Sequence, residues 1–299
     1  MTTPTTHICS TNSTQPAAST RKPRPSVAER RQADLAEGII KLSPSSLTFL
    51  HEECPACFWH HYNGRPRPAT AFPKVFGALD NAQKELFVGR STKEVKKSLP
   101  AGTIQRGKRV KSEAIALPGT PYRVQFGGET DTILRFSRAG YGVCDFKTSA
   151  PNEEAAALYG RQLHAYAIAL ERPAGEALPL APVSQLGLIC FPPEGMIELP
   201  TPKSATDKKS GAKGSATKAD APRQYAYRTS AVWVEVERND EEFLHFVADA
   251  VKIITRRTMP RSAPNCGWCR WTRMTAPLLE QESFALHESA EPAMLTGAA

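Results

Sequence analysis

The stretch GGETDTILRFSRAGYGVCDFKTS, residues 127–149, alternates short apolar runs with turn-forming residues. Residues 132–136 and 142–146 read as short strands, and Val124 with Phe126 marks another just upstream. Turns are expected at Gly127-Gly128 and Ala139-Gly140, which predicts a meander of about three strands. Asp131 is then expected in one strand, with Asp145 and Lys147 two apart in the next. Side chains two apart on a strand project from the same face, and a neighbouring strand can bring Asp131 alongside. Two carboxylates so placed form a hard oxygen site for Mg²⁺ or Mn²⁺, and the adjacent ammonium can orient a water or offset charge developing on a phosphate. A solvated Asp-Lys pair is the plainer account of D-x-K taken alone.

Working outward, EEAAALYGRQLHAYAIALE (153–171) is dense in helix formers and predicts the best-defined helix of the chain. On it Gln162 and Tyr166 lie one turn apart and share a face, while His164 points away from both. Strands follow at 183–191 and 225–237, then an amphipathic helix at 240–257. Upstream, Val75, Leu79, Ala82, Leu86 and Phe87 recur at helical spacing, with Gly89 as a stop. Leu42-Ser-Pro-Ser-Ser-Leu47 reads as a helix start capped by Ser43 or Ser45, with Leu47, Phe49 and Leu50 on an apolar face running into Cys54. The sum is an α/β fold: a mixed sheet flanked by helices.

The 299 residues are 40 % hydrophobic and 23 % charged, enough for one substantial core. No apolar run approaches the roughly 20 residues of a membrane-spanning helix, so no membrane partner is expected. Residues 1–38 are polar and basic and lack the apolar stretch of a secretory signal, so they are expected to be disordered and the protein intracellular and cytoplasmic. The ordered domain is placed at 39–274, with a Lys-rich insertion at 200–222 and a disordered acidic tail at 275–299. The net charge of +8 favours an anionic partner.

Cys54 and Cys57 form one C-x-x-C, and Cys266 and Cys269 form another. Four thiolates at that spacing can close around zinc or around an iron-sulfur cluster if the two regions meet. Trp59, Trp268 and Trp271 are placed to shield such a centre, and His51, His60 and His61 are surplus to it. Cys144 and Cys190 sit in apolar strands as core residues, and Cys9 has no assigned role.

Gly128-Glu-Thr-Asp131, Asp145-Phe-Lys147-Thr148, Gln162-Leu-His-Ala-Tyr166 and the opening Leu42-Ser-Pro-Ser-Ser-Leu with Cys54-Pro together resemble the PD-(D/E)XK nuclease superfamily. Within it they are most similar to RecB-like exonucleases of the CRISPR-associated and AddB nuclease-domain type. The resemblance spans roughly residues 40–272. It implies a restriction-endonuclease-like sheet and metal ligation by Asp131 and Asp145, with Lys147 assisting the attacking water and Gln162 and Tyr166 following on the helix. It also implies a metal-dependent deoxyribonuclease acting on single-stranded DNA or DNA ends, in repair, recombination or phage- and CRISPR-related processing. Family members often carry a histidine metal ligand in the helix before the meander. Asp80 or Asn81 stands there, with Glu85 one turn on. Family members also staple their termini with a four-iron four-sulfur cluster, commonly split as one cysteine before and three after. The two-plus-two split here keeps zinc as an alternative. The competing function is a non-catalytic module that retains the nuclease fold to bind nucleic acid or a partner, with the cysteine centre as a structural staple.

Overall fold

Residues 142–146 are buried one after another, a pattern that suits a central strand covered on both faces. The computed structural model describes residues 25–69, 73–138, 140–200 and 223–288. In chain order the first half comprises α1 (Val27–Ala36), β1 (Ile39–Leu42), a 3-10 turn (Pro44–Leu47), α2 (Phe49–Glu53), α3 (Pro55–Tyr62), α4 (Lys74–Phe87) and α5 (Thr92–Val95). Strands β2 (Gly102–Arg106), β3 (Arg109–Lys111), β4 (Ile115–Ala116), β5 (Arg123–Glu129), β6 (Thr132–Phe136) and β7 (Tyr141–Lys147) follow. The remainder is α6 (Glu153–Glu171), β8 (Val183–Cys190), β9 (Pro193–Leu199), β10 (Gln224–Thr229), β11 (Val232–Val236), α7 (Asp240–Ile254) and α8 (Gly267–Glu288).

A five-stranded mixed sheet runs in the order β11-β8-β7-β6-β2, with β7 and β8 parallel and the other pairs antiparallel. Parallel neighbours need a long crossover, and α6 supplies it. Asn152 starts that helix by accepting hydrogen bonds from the amides of Glu154 and Ala155, with Glu153 and Glu154 against the positive end of the helix dipole. One side of α6 packs Leu163, Tyr166, Ala167 and Leu170 onto Val143, Leu186 and Leu188 of the sheet. The opposite face of the sheet, through Leu134, Phe146 and Ile189, closes on Phe87, Val95 and Leu99. A second sheet holds β1 parallel to β5, with β3 and β4 antiparallel to β5. It packs with the other side of α6 and with α7 around Phe126, Ala165, Ile168, Phe243 and Val247. His164 belongs to this side: Nδ1 lies 2.7 Å from the Gly160 carbonyl, and Nε2 accepts from the Asn239 amide.

Several expectations need correction. Gly127 and Gly128 lie inside β5 rather than in a hairpin turn, and β5 pairs with β1 and β3 instead of β6, so the three-strand meander is two strands plus a member of another sheet. Asp131 sits in the short connection between β5 and β6, not in a strand. The helix expected from Leu42 is broken into a strand, a 3-10 turn and two short helices, because Pro44 and Pro55 each force a new start, and Phe49 is largely exposed. The strand expected over 225–237 is two strands in different sheets. The segment set apart as disordered to residue 38 contains α1, opened by a capping box between Ser26 and Glu29, and Arg31 is buried on it. The tail set apart from residue 275 carries the continuation of α8 to Glu288. Cys9 and residues 201–222 of the insertion lie outside the described residues. No helix among the described residues is long and apolar enough to cross a membrane.

Candidate functional site

Asp145 and Lys147 extend from the α6-facing side of β7, in line with Val143 of the same strand. Asp145 is 3 % exposed, and its Oδ2 forms an ion pair with the Lys147 ammonium but accepts no hydrogen bond of ordinary geometry. The Lys147 Nζ also stands 3.7 Å from the centroid of the Tyr159 ring on α6, a cation-π contact that fixes the side chain from its far side. Asp131 reaches the same place from the β5–β6 connection, its carboxyl within hydrogen-bonding reach of Asp145. The Lys84 ammonium of α4 ties the outer edge, 2.8 Å from Asp131 Oδ1 and 2.8 Å from Asp80 Oδ2.

The electrostatics of the carboxyl pair are asymmetric. Burial first, then the hydrogen bond with Asp131, pushes the Asp145 carboxyl up to about 8. Burial also works against ionising Asp131, but hydrogen bonds with Asp145 and Lys84 outweigh it and hold that carboxyl below its ordinary value. Two such carboxyls without a cation between them share a proton, since both cannot carry charge in a desolvated site. The buried Oδ2 with an unfilled lone pair and the paired hard oxygens fit a divalent cation. Asp131 and Asp145 are the residues able to hold it.

The expected residues do not all converge. Tyr166 does: its hydroxyl is pushed up by burial, then by the charges of Asp145, Asp131 and Glu129, and a Cβ on Gly128 would lie 3.2 Å from its ring. Glycine at 128 is what lets β5 pass that close. Gln162 is half-buried one turn before Tyr166 and, among the described residues, makes no hydrogen bond to either carboxylate. Asp80 enters only through Lys84, while Asn81 and Glu85 are exposed. Lys84 and Tyr159 were missed by the sequence reading. Asp80-x-x-x-Lys84 has ion-pair spacing on a helix, and Tyr159 lies two turns before Tyr166 on one face, so both signals were present.

The cysteine pairs meet. Cys54 at the start of α3, Cys57 within it, and Cys266 and Cys269 at the start of α8 place all four sulfurs within 4.8 Å of one another. Cys57 Sγ lies 3.6 Å from that of Cys266 and 3.5 Å from that of Cys269, and Cys54 lies 3.8 Å from Cys269. One ion with bonds of about 2.3 Å to four thiolates sets its sulfurs on a tetrahedron of edge about 3.8 Å, so the donor set fits a single tetrahedral ion. A cluster seats each thiolate on a different iron and spreads the sulfurs farther apart. The Ala263 amide donates to Cys54 Sγ, and Arg67 Nη2 lies 3.7 Å from Cys266 Sγ. Trp268 packs against the cluster, but Trp271 is 60 % exposed and shields nothing, while the Trp59 indole donates to the Arg256 carbonyl. None of His51, His60 and His61 joins the four ligands. Cys144 and Cys190 are core residues, as their strands predict.

A family model of the PD-(D/E)XK nuclease superfamily matches residues 81–274. Among solved structures, one described as "Crystal structure of SSO0001" is similar with a TM-score of 0.38 and 10% identity, over 76% of this chain and 84% of that chain. No curated protein matches.

Proposed function

The chain belongs to the PD-(D/E)XK nuclease superfamily, and from that premise we propose that it is a RecB-like deoxyribonuclease that uses Mg²⁺ or Mn²⁺ to hydrolyse phosphodiester bonds in single-stranded DNA or at DNA ends. The observation that carries this reading is the convergence of Asp131, Asp145 and Lys147 from two separate segments at the end of the central strand β7. A purely structural role for Asp145 is costly, because burial penalises its charge and the neighbouring Asp131 carboxyl adds to that penalty. Repair, recombination and phage- or CRISPR-related processing are the settings this reading favours.

In this proposal Asp131 and Asp145 hold the cation. A bound divalent ion supplies Lewis-acid polarisation of a phosphate oxygen and a lower pKa for water. Lys147, held between Asp145 and the Tyr159 ring, positions the attacking water and offsets negative charge as it builds on the phosphate. Lys84 keeps Asp131 turned toward Asp145, and Asp131, 25 % exposed at its side chain, forms the solvent side where substrate enters. Tyr166, projecting from α6, closes the site toward Gly128 of β5. A groove of about 860 Å³, lined in part by Lys41, Lys108, Arg109, Lys111 and Gly127–Glu129, ends two positions short of Asp131 in the chain; Lys41 pairs with Asp34 and Arg109 with Glu129, so Lys108 and Lys111 are the lining cations we offer to a DNA backbone. We assign zinc, in preference to a four-iron cluster, to the four cysteines, on the sulfur spacing, with the role of tying α3 to α8.

The test is cleavage of end-labelled single- and double-stranded DNA with Mg²⁺, Mn²⁺ or EDTA, beside Asp145→Ala and Lys147→Ala. Metal-dependent cleavage that falls by about a thousandfold or more in both folded variants is expected, a loss in line with removing a group that stabilises transition-state charge. Cleavage retained by the variants refutes the site assignment.

A further inference from the structure

The ribbon of β9 and β10 leaves the body of the protein beside the site. β8 ends at Cys190, directly opposite Lys147 of β7, and the Phe191 amide donates to the Lys147 carbonyl. On the other side Cys190 pairs with Val232, the first residue of β11. Both legs of the ribbon, entering at Pro193 and returning at Thr229, therefore start at the end of the sheet that carries Asp145 and Lys147, and the Thr229 hydroxyl pins them together by donating to the Pro192 carbonyl.

The composition of the ribbon is unusual for a solvated edge. Tyr225 and Tyr227, two apart on β10, share a face, and Met196 is the direct cross-strand partner of Tyr227. Their exposures are 54 %, 56 % and 62 %, so the face is broad, aromatic and open. Arg223 and Arg228 pair with Glu198 and Glu194, so the strands themselves are balanced in charge. The segment joining them, residues 201–222, carries five lysines against two aspartates. Exposed tyrosine faces are one means by which proteins bind single strands without reading their sequence, since every base offers a π-face. A protein partner or a second copy would make equal use of the aromatic face but none of the lysine excess.

We propose that the β9–β10 ribbon is a stacking arm for single-stranded DNA, with Tyr225 and Tyr227 taking bases of the strand whose backbone lies at Asp131 and Asp145. This rests on the nuclease reading and adds to it the surface that holds the strand.

The experiment measures anisotropy of labelled oligo(dT) with the full chain, without added divalent cation, for wild type, Tyr225→Ala/Tyr227→Ala and Tyr225→Phe/Tyr227→Phe, alongside wild-type cleavage with Mn²⁺. The Ala pair should weaken binding by about 10- to 100-fold while the Phe pair, which keeps the rings, stays near wild type. The slope of affinity against salt should be the same in all three, because the phosphate contacts are untouched. Equal binding by the Ala pair, with wild-type cleavage intact, overturns the arm and leaves the nuclease. So does a wild-type dimer that the Ala pair dissociates with no change in DNA affinity. Wild type that neither binds nor cleaves DNA overturns both.

Discussion

Filling the carboxylate pair with Mn²⁺ should expel a proton, and the number expelled reports how the site is built. With Asp145 pushed up to about 8, the cation-free protein keeps that carboxyl largely protonated at pH 6.5 and largely ionised at pH 9. Metal ligands must be ionised to bind, so Mn²⁺ should release close to one proton per ion at pH 6.5 and far less at pH 9. The apparent affinity should strengthen by about tenfold for each pH unit up to about 8 and then level off. Stability of the cation-free protein runs the opposite way. A carboxyl raised in the folded state contributes stability that is full below its unfolded value of about 3.9 and is lost as pH rises through about 8. The cation-free protein should thus weaken across that window while the gain in Tm from Mn²⁺ grows. Titration calorimetry in buffers of different ionisation heat counts the protons, with the cysteine centre loaded beforehand and Asp145→Asn releasing none. Release below about 0.2 proton at pH 6.5, or an affinity indifferent to pH, would mean that Asp145 is already ionised and that burial and Asp131 do not act on it as described.

Elemental analysis should find about one zinc per chain and no iron, with no visible absorption, and Cys57→Ser should lose the zinc and lower Tm; a brown protein with about four irons would refute the tetrahedral assignment. Gly187→Ala places a methyl 2.3 Å from the ring of buried Trp233, so it should cost about 1–3 kcal/mol in denaturant titrations with an unchanged slope, and an unshifted midpoint would show that the β8–β11 contact is looser than described.

What the sequence disclosed follows from what local pattern can carry. The α6 segment was legible because nineteen consecutive residues favour one conformation, and α4 and α7 because their apolar residues recur at helical spacing. The pairing of Asp145 with Lys147 followed from the two-residue repeat of a strand. Pairing between strands is a tertiary matter, however, and nothing in Gly127-Gly128 distinguishes a hairpin turn from a strand squeezed past Tyr166 and Pro44. Asp131 was therefore identified with the right neighbours but given the wrong local geometry. The same limit hid the division of residues 225–237 between ribbon and sheet, which depends on where Val232 finds Cys190. Lys84 was overlooked because its sequence partner, Asp80, accounts for it fully; its second partner lies 47 positions away. The cysteine spacing pointed to four thiols around one point, but only the fold shows that the two pairs, more than 200 positions apart, meet.

The cysteine centre also bridges the two sides of a single cut in the chain. Any cut between β9 and β10 yields one fragment with Cys54 and Cys57 and another with Cys266 and Cys269, and neither holds a complete ligand set. Asp131, Asp145 and Lys147 all stay with the first fragment, while the second brings β11 to the sheet edge and α7 to the core. A nicked chain would still be held by the β8–β11 pairing and the packing of α7 on α6, and an ion at the four cysteines would add a tie between the two pieces that a chelator removes.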